Sequence, residues 1–163
     1  MEAPDIVQSF LVMIAAIQTI YYYKLLPPQI ASHFTATGVA NGSSAKSSFF
    51  ILYWVMMGVA ILISAVVPLL IGSLPASMIN IPNKDYWLSD AKRDETVGIL
   101  RAHMKWFGVA LMAFLVACFQ MVIHANLTPA RSLTNSFWVI IGAFAVVTII
   151  WTFRLATRFS RVD

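Results

Sequence analysis

The stretch FFILYWVMMGVAILISAVVPLLI, from Phe49 to Ile71, contains no Asp, Glu, Lys or Arg. A helix rises about 1.5 Å per residue, so this stretch reaches across a hydrocarbon layer of roughly 30 Å. In lipid the backbone must satisfy its own hydrogen bonds, which makes it a helix rather than an isolated strand. Three more uncharged stretches follow the same pattern: Ile6 to Tyr23, Trp106 to Ala125 and Phe137 to Phe153. With their ends extended slightly, the spans cover about residues 6–25, 49–72, 105–126 and 136–155. Composition agrees: 60% of the 163 residues are hydrophobic and 11% are charged, against about a quarter charged in a soluble domain. The predicted fold class is all-α, a polytopic membrane protein with four transmembrane helices in one domain, residues 1–163.

The net charge of +4 does not point to nucleic acid, because the cations gather at particular helix ends. Lys84, Lys92, Arg93, Arg101 and Lys105 follow the second span, and Arg154, Arg158 and Arg161 follow the fourth. Lys24, Lys46 and Arg131 lie in the other two connections. The positive-inside rule puts both termini and the middle loop in the cytoplasm. The connections after spans one and three then face outward. The first span is expected to be retained rather than cleaved: acidic Glu2 and Asp5 precede it, and no small-residue cleavage site is clear.

Local signals sharpen this picture. Pro4 and Asp5 suit the first turn of span one, and Tyr21, Tyr22 and Tyr23 beside Lys24 resemble an interfacial belt. Pro27 and Pro28 stop the helix. Ser47 or Ser48 is expected to cap span two, and Pro68 to bend it. Small pairs four apart, Ala15/Thr19, Ala60/Ser64 and Ala113/Ala117, would allow close helix approach. Tyr86 and Trp87 are expected at the inner membrane surface. Ser89 is expected to cap a third helix that starts near Asp90 and extends out of the bilayer.

Between spans one and two lies Leu26 to Lys46, longer than most helix–helix links. Ile30 and Phe34, four apart, are expected to form the apolar face of a short turn. Gly38 and Asn41–Gly42 are expected to supply positive-φ turns. Lys46 would return the chain to the membrane surface, near headgroup phosphate. Leu26–Pro27, Ile30, His33–Phe34, Gly38 and Lys46 together resemble the first-loop signature of a small bacterial membrane domain of unknown function found in SdpI-type toxin-immunity proteins. Ala31, Thr35 and Ala45 depart from the residues common there. The resemblance implies membership of that bacterial membrane-domain family, though immunity as an activity does not follow from it. The expected protein sits in the bacterial inner membrane and binds a partner through a structured extracytoplasmic loop, in toxin immunity or envelope signalling.

Candidate chemistry is sparse. The three histidines, His33, His103 and His124, and the lone Cys118 show no metal-ligand spacing. No phosphate loop, nucleophile motif or intramembrane acid is present, so neither an enzyme nor a cofactor is expected. Asn41-Gly-Ser and Asn126-Leu-Thr are chance-prone glycosylation sequons. Gln120 and His124 share one face of span three, and Gln18 lies toward the same end of span one. Polar groups in a span pair with each other or line a cavity. The expected site is therefore a polar pocket beneath the loop, drawing on Gln18, His33, Gln120 and His124, with Phe34, Gly38 and Lys46 in the loop above. The expected partners are the bilayer and other membrane proteins. Alternatives are an accessory subunit of a larger membrane complex and a small transporter or channel.

Overall fold

The computed structural model describes residues 2–162. Four helices are long and apolar enough to cross a membrane. They are α1 (Ala3–Leu25), α2 (Lys46–Ile71), α4 (Arg93–Leu127) and α5 (Asn135–Phe159). A one-turn helix α3 (Lys84–Trp87) lies between α2 and α4. The fold is mostly helical, as expected, and adds one small two-stranded sheet that an all-α reading did not include. Strands β1 (Gln29–Phe34) and β2 (Ala40–Ala45) pair antiparallel in the connection after α1. Ser, Thr, Asn and Gly fill this segment, and such residues favour turns and extended backbone over helix interiors.

The core is a three-helix affair. Ala15 of α1, Tyr53, Met57 and Ala60 of α2, and Met112, Leu115, Phe119 and Ile123 of α4 are buried together. Ile30 of the hairpin joins them, fully buried. α5 stands apart: no residue in its most apolar window is buried. It meets α4 through stacked Phe114 and Phe144, ring centroids 4.2 Å apart.

Helix approach in lipid relies on small residues. Ala15, Ala60 and Ser64 are indeed buried, but Ala113 is exposed. The close approach on α4 uses Gly108 instead, where any Cβ would overlap Ser64. Ser64 lies in a π-helical turn, Leu62–Val66, just before Pro68. Proline cannot donate to the carbonyl four residues back, and the widened turn absorbs that loss. Ser64 Oγ also donates to Gln8 Oε1 at 2.7 Å, which ties α2 to α1.

The hairpin corrects the helical reading of the loop. Ile30 is buried and Phe34 half-buried on an extended strand, with register irregularities between Ala31 and Phe34. Gly38 has φ +82°, as a tight turn requires. Asn41–Gly42 makes no turn: it lies within β2, where Gly42 pairs with His33. Lys46 does not reach outward. Its Nζ donates to the carbonyls of Tyr23 (2.9 Å) and Leu26 (3.0 Å), the end of α1 where a cation complements the helix dipole. No side chain caps α2, whose N-cap is Ala45.

An isolated two-stranded hairpin is marginal in water, yet here it is held at several points. Asn126 Oδ1 accepts from the Ala31 N–H at 2.7 Å, and Asn126 Nδ2 donates to the Ala31 carbonyl at 2.9 Å. At the tip, the Leu133 N–H donates to the Gly38 carbonyl (2.9 Å), and Val39 bridges to Ser132. The two connections at this end of the bundle therefore form one cap.

The other end is also built. Trp87 is buried, and its Nε1 donates to the Phe159 carbonyl at 3.0 Å. Asn83 Nδ2 donates to the carbonyls of Phe159 and Ser160. Ser89 does not cap α4, which starts at Arg93; its hydroxyl donates to the Tyr86 carbonyl. Arg93 and Arg101 donate to the carbonyls of Leu74 and Pro68. Lys105 ion-pairs with Glu2 and Asp5, each at 3.1 Å, and ties α4 to the start of α1. At about 52 Å, α4 is longer than the hydrocarbon layer is thick.

Asn126→Leu removes both bonds to Ala31 and leaves a buried peptide group unpaired. The expected loss is about 2 kcal/mol, read from thermal unfolding in detergent, together with faster amide exchange at Ala31. Gly38→Ala places a Cβ 2.6 Å from the Leu133 oxygen at a positive φ. It should cost about 1–3 kcal/mol in the same assay.

Candidate functional site

Two features lie beneath the hairpin: a chain of hydrogen-bonded polar side chains inside the bundle, and a cavity beside it. The chain starts at Tyr53, fully buried on α2. Tyr53 OH donates to Gln18 Oε1 at 2.7 Å. Gln18 Nε2 donates to Gln120 Oε1 at 2.9 Å and to the Val116 carbonyl at 3.4 Å. Gln120 Nε2 donates to Tyr22 OH at 3.0 Å. Four side chains from α1, α2 and α4 thus satisfy one another. The Tyr53 ring stacks on Phe119, centroids 4.2 Å apart, so one residue serves packing and polarity together.

In the hydrogen-bonded chain the structure brings Gln18 and Gln120 together and leaves both histidines out, although His33 lines the neighbouring cavity. His124 is exposed on α4 and makes no hydrogen bond to the described residues. The reason is helical phase. Ile123 and Asn126 take the inward face at that level, and both are buried. His33 is exposed on β1, packed across Gly42. Four predicted residues therefore split into an internal pair and two surface histidines. The Gly38 carbonyl accepts from the Leu133 N–H, Lys46 donates to the carbonyls of Tyr23 and Leu26, and Phe34 is half-buried on β1.

The cavity has a volume of about 340 Å³, within the range of small-molecule pockets. Ser32, His33 and Ser44 of the hairpin form its roof. Phe49 and Leu52 of α2, Cys118 and Phe119 of α4, and Phe137 of α5 form its walls. The lining is mostly apolar, with hydroxyls at one end. Ser32 Oγ is buried with no hydrogen-bond partner among the described residues. Such a group costs free energy until a partner arrives.

Sequence reasoning missed Asn126, Tyr53, Ser32 and Phe137. Asn126 carried a legible signal, an amide at the end of an apolar helix, but it registered only as a sequon. Tyr53 and Phe137 look like ordinary membrane-helix aromatics, and only their neighbours make them special. Among the described residues, no three His, Cys, Asp or Glu side chains group as a metal site would need.

Gln18→Leu strands the acceptor of Gln120 and the hydroxyl of Tyr53, so it should destabilise the bundle by about 1–3 kcal/mol. His124→Ala should stay within about 0.5 kcal/mol of the parent. Thermal unfolding of both variants in one detergent compares them directly.

No curated protein and no solved structure matches the chain. A family model does match residues 10–57, which comprise most of α1, the whole hairpin and the first part of α2: the chain is similar there to a domain of unknown function, DUF1648.

Proposed function

We propose that this chain is a non-enzymatic binding protein of the bacterial inner membrane, with the hairpin-roofed cavity as its binding site. The observation that carries this reading is the cavity under a firmly seated roof. The hairpin is fastened by Asn126, by Ile30 in the core and by the Gly38–Leu133 bond. A roof held this firmly presents a preformed site, and preformed sites lose less entropy on binding. The complementary occupant has an apolar body and a hydrogen-bonding group for the Ser32 hydroxyl, such as an apolar peptide segment of a partner. The concentration of Lys and Arg at the opposite end supports an extracytoplasmic hairpin and cytoplasmic termini. The first-loop resemblance to SdpI-type proteins supports toxin immunity or envelope signalling as the setting.

A second reading has its own observation. α5 exposes Val139, Val146, Ile149 and Phe153 along its length, a surface that another membrane subunit would cover. That arrangement describes an accessory subunit of a larger complex. Transport finds less support, because the polar side chains inside the bundle are bonded to one another.

A photoreactive residue at position 44, in intact cells, should crosslink a partner. Ser48 also lines the cavity, and Ser48→Trp, which fills it, should abolish the product. A crosslink obtained at position 146 but not at 44 favours the subunit reading. For sidedness, a single cysteine at Gly42 in a Cys118→Ser background should react with a membrane-impermeant maleimide in intact spheroplasts. Reaction only after permeabilisation overturns the threading.

A further inference from the structure

At the end of the bundle opposite the hairpin, a cleft opens between α4 and α5. Its mouth is lined by Arg154, Arg158 and Arg161 with Trp87, Glu95 and Thr157, around a volume of about 400 Å³. Arg154 and Arg158, four apart, share one face of α5, and Arg161 follows just past the end of that helix. None has an ion-pair partner among the described residues. The one carboxylate at the mouth, Glu95, is already paired with Lys92 at 3.1 Å. By contrast, Arg93 and Arg101 donate to backbone carbonyls.

Below the mouth the cleft changes character. A second hollow, sharing Glu95 and Arg158 with the mouth, runs between Ile99, Ala102, His103 and Trp106 of α4 and Trp151 of α5, with the His103 and Trp151 rings 4.7 Å apart. Gly98 on this wall has open space where a Cβ would stand. The exposed Ile149, Ile150 and Phe153 lie immediately before Arg154 in sequence. The arginines therefore sit where the apolar helix surface ends, with two tryptophans of the kind found at membrane interfaces.

We infer that this cleft binds an anionic phospholipid, its phosphodiester held by Arg154, Arg158 and Arg161 and an acyl chain laid along Gly98, Ala102 and Trp106. The guanidinium groups match phosphate in charge and fork geometry. Their mutual repulsion is relieved by an anion that all three share. The apolar floor selects a lipid over a soluble phosphate, and basic pockets between membrane helices recognise such headgroups.

The test uses the full chain in phosphatidylcholine nanodiscs, titrated with phosphatidylglycerol brominated on its acyl chains. Bromine quenches nearby tryptophans, so Trp106 and Trp151 report occupancy. Phosphatidylglycerol should quench saturably, whereas brominated phosphatidylcholine should not. Arg154→Gln with Arg158→Gln should weaken the response by roughly tenfold or more. Arg131→Gln, at the other end of the bundle, should leave it unchanged. Circular dichroism and unfolding without added lipid check that the double variant is folded; lysines at the same two positions give a charge-retaining second variant that should recover part of the binding. Equal quenching by both lipids overturns the inference. So does a response unaffected by removing the two arginines, or one abolished by millimolar inorganic phosphate, which would make the site one for soluble anions.

Discussion

The structure depends on one constraint: a polar group placed inside the apolar part of this chain must find its partner there. Water is not available to compensate, and an orphaned amide costs about 1–3 kcal/mol. Gln18 answers with three bonds, to Tyr53, Gln120 and Val116. Asn126 answers by treating the peptide of Ala31 as a neighbouring strand would, accepting from its N–H and donating to its carbonyl. Because those partners come from different elements, satisfying them fixes the register of α1, α2 and α4 and the seat of the hairpin. Between lipid-exposed helices the hydrophobic effect supplies little such specificity.

The same logic explains why a short hairpin persists on a helical bundle. Its edges are not left to solvent. Ile30 is buried among Phe49, Phe50 and Phe119 in the core, Lys46 closes the end of α1 beneath it, and the connection before α5 bonds to its tip. A roof made this way stays put while the space below remains open. That space exists because α5 is not drawn into the bundle. It touches α4 through the Phe114–Phe144 stack and is tethered at its end by Trp87 and Asn83. Peripheral α5 thus creates both the cavity under the hairpin and the basic cleft at the far end. A tightly packed four-helix arrangement would have filled each with side chains.

The two ends differ in chemistry. The hairpin end offers hydroxyls and a histidine around an apolar hole. The other end offers arginines above an apolar slot. The buried core of α1, α2 and α4 lies between the two ends.

The four long helices were legible in residue order alone, because uncharged runs of the right length admit no other solution in lipid. Residue order also determined that α4 would run beyond the bilayer, since apolar periodicity continues back through Val97 and Leu100, and that Gln18 and Gln120 would need partners. The tertiary structure alone decided that Leu26 to Lys46 forms a β-hairpin, because its strands are stabilised by Asn126 and Ile30 docking rather than by their own propensity. It alone decided that His124 points away while Asn126 points in: a difference of two residues on a helix is about 200° of rotation, and which face turns inward depends on the neighbours. It also decided that Gly108, not Ala113 or Ala117, receives Ser64, because the π-turn ahead of Pro68 shifts the contact surface of α2. Local pattern reports what each segment must do in lipid. Which segments meet follows from pairing polar groups as far apart as Gln18 and Gln120, 102 residues along the chain.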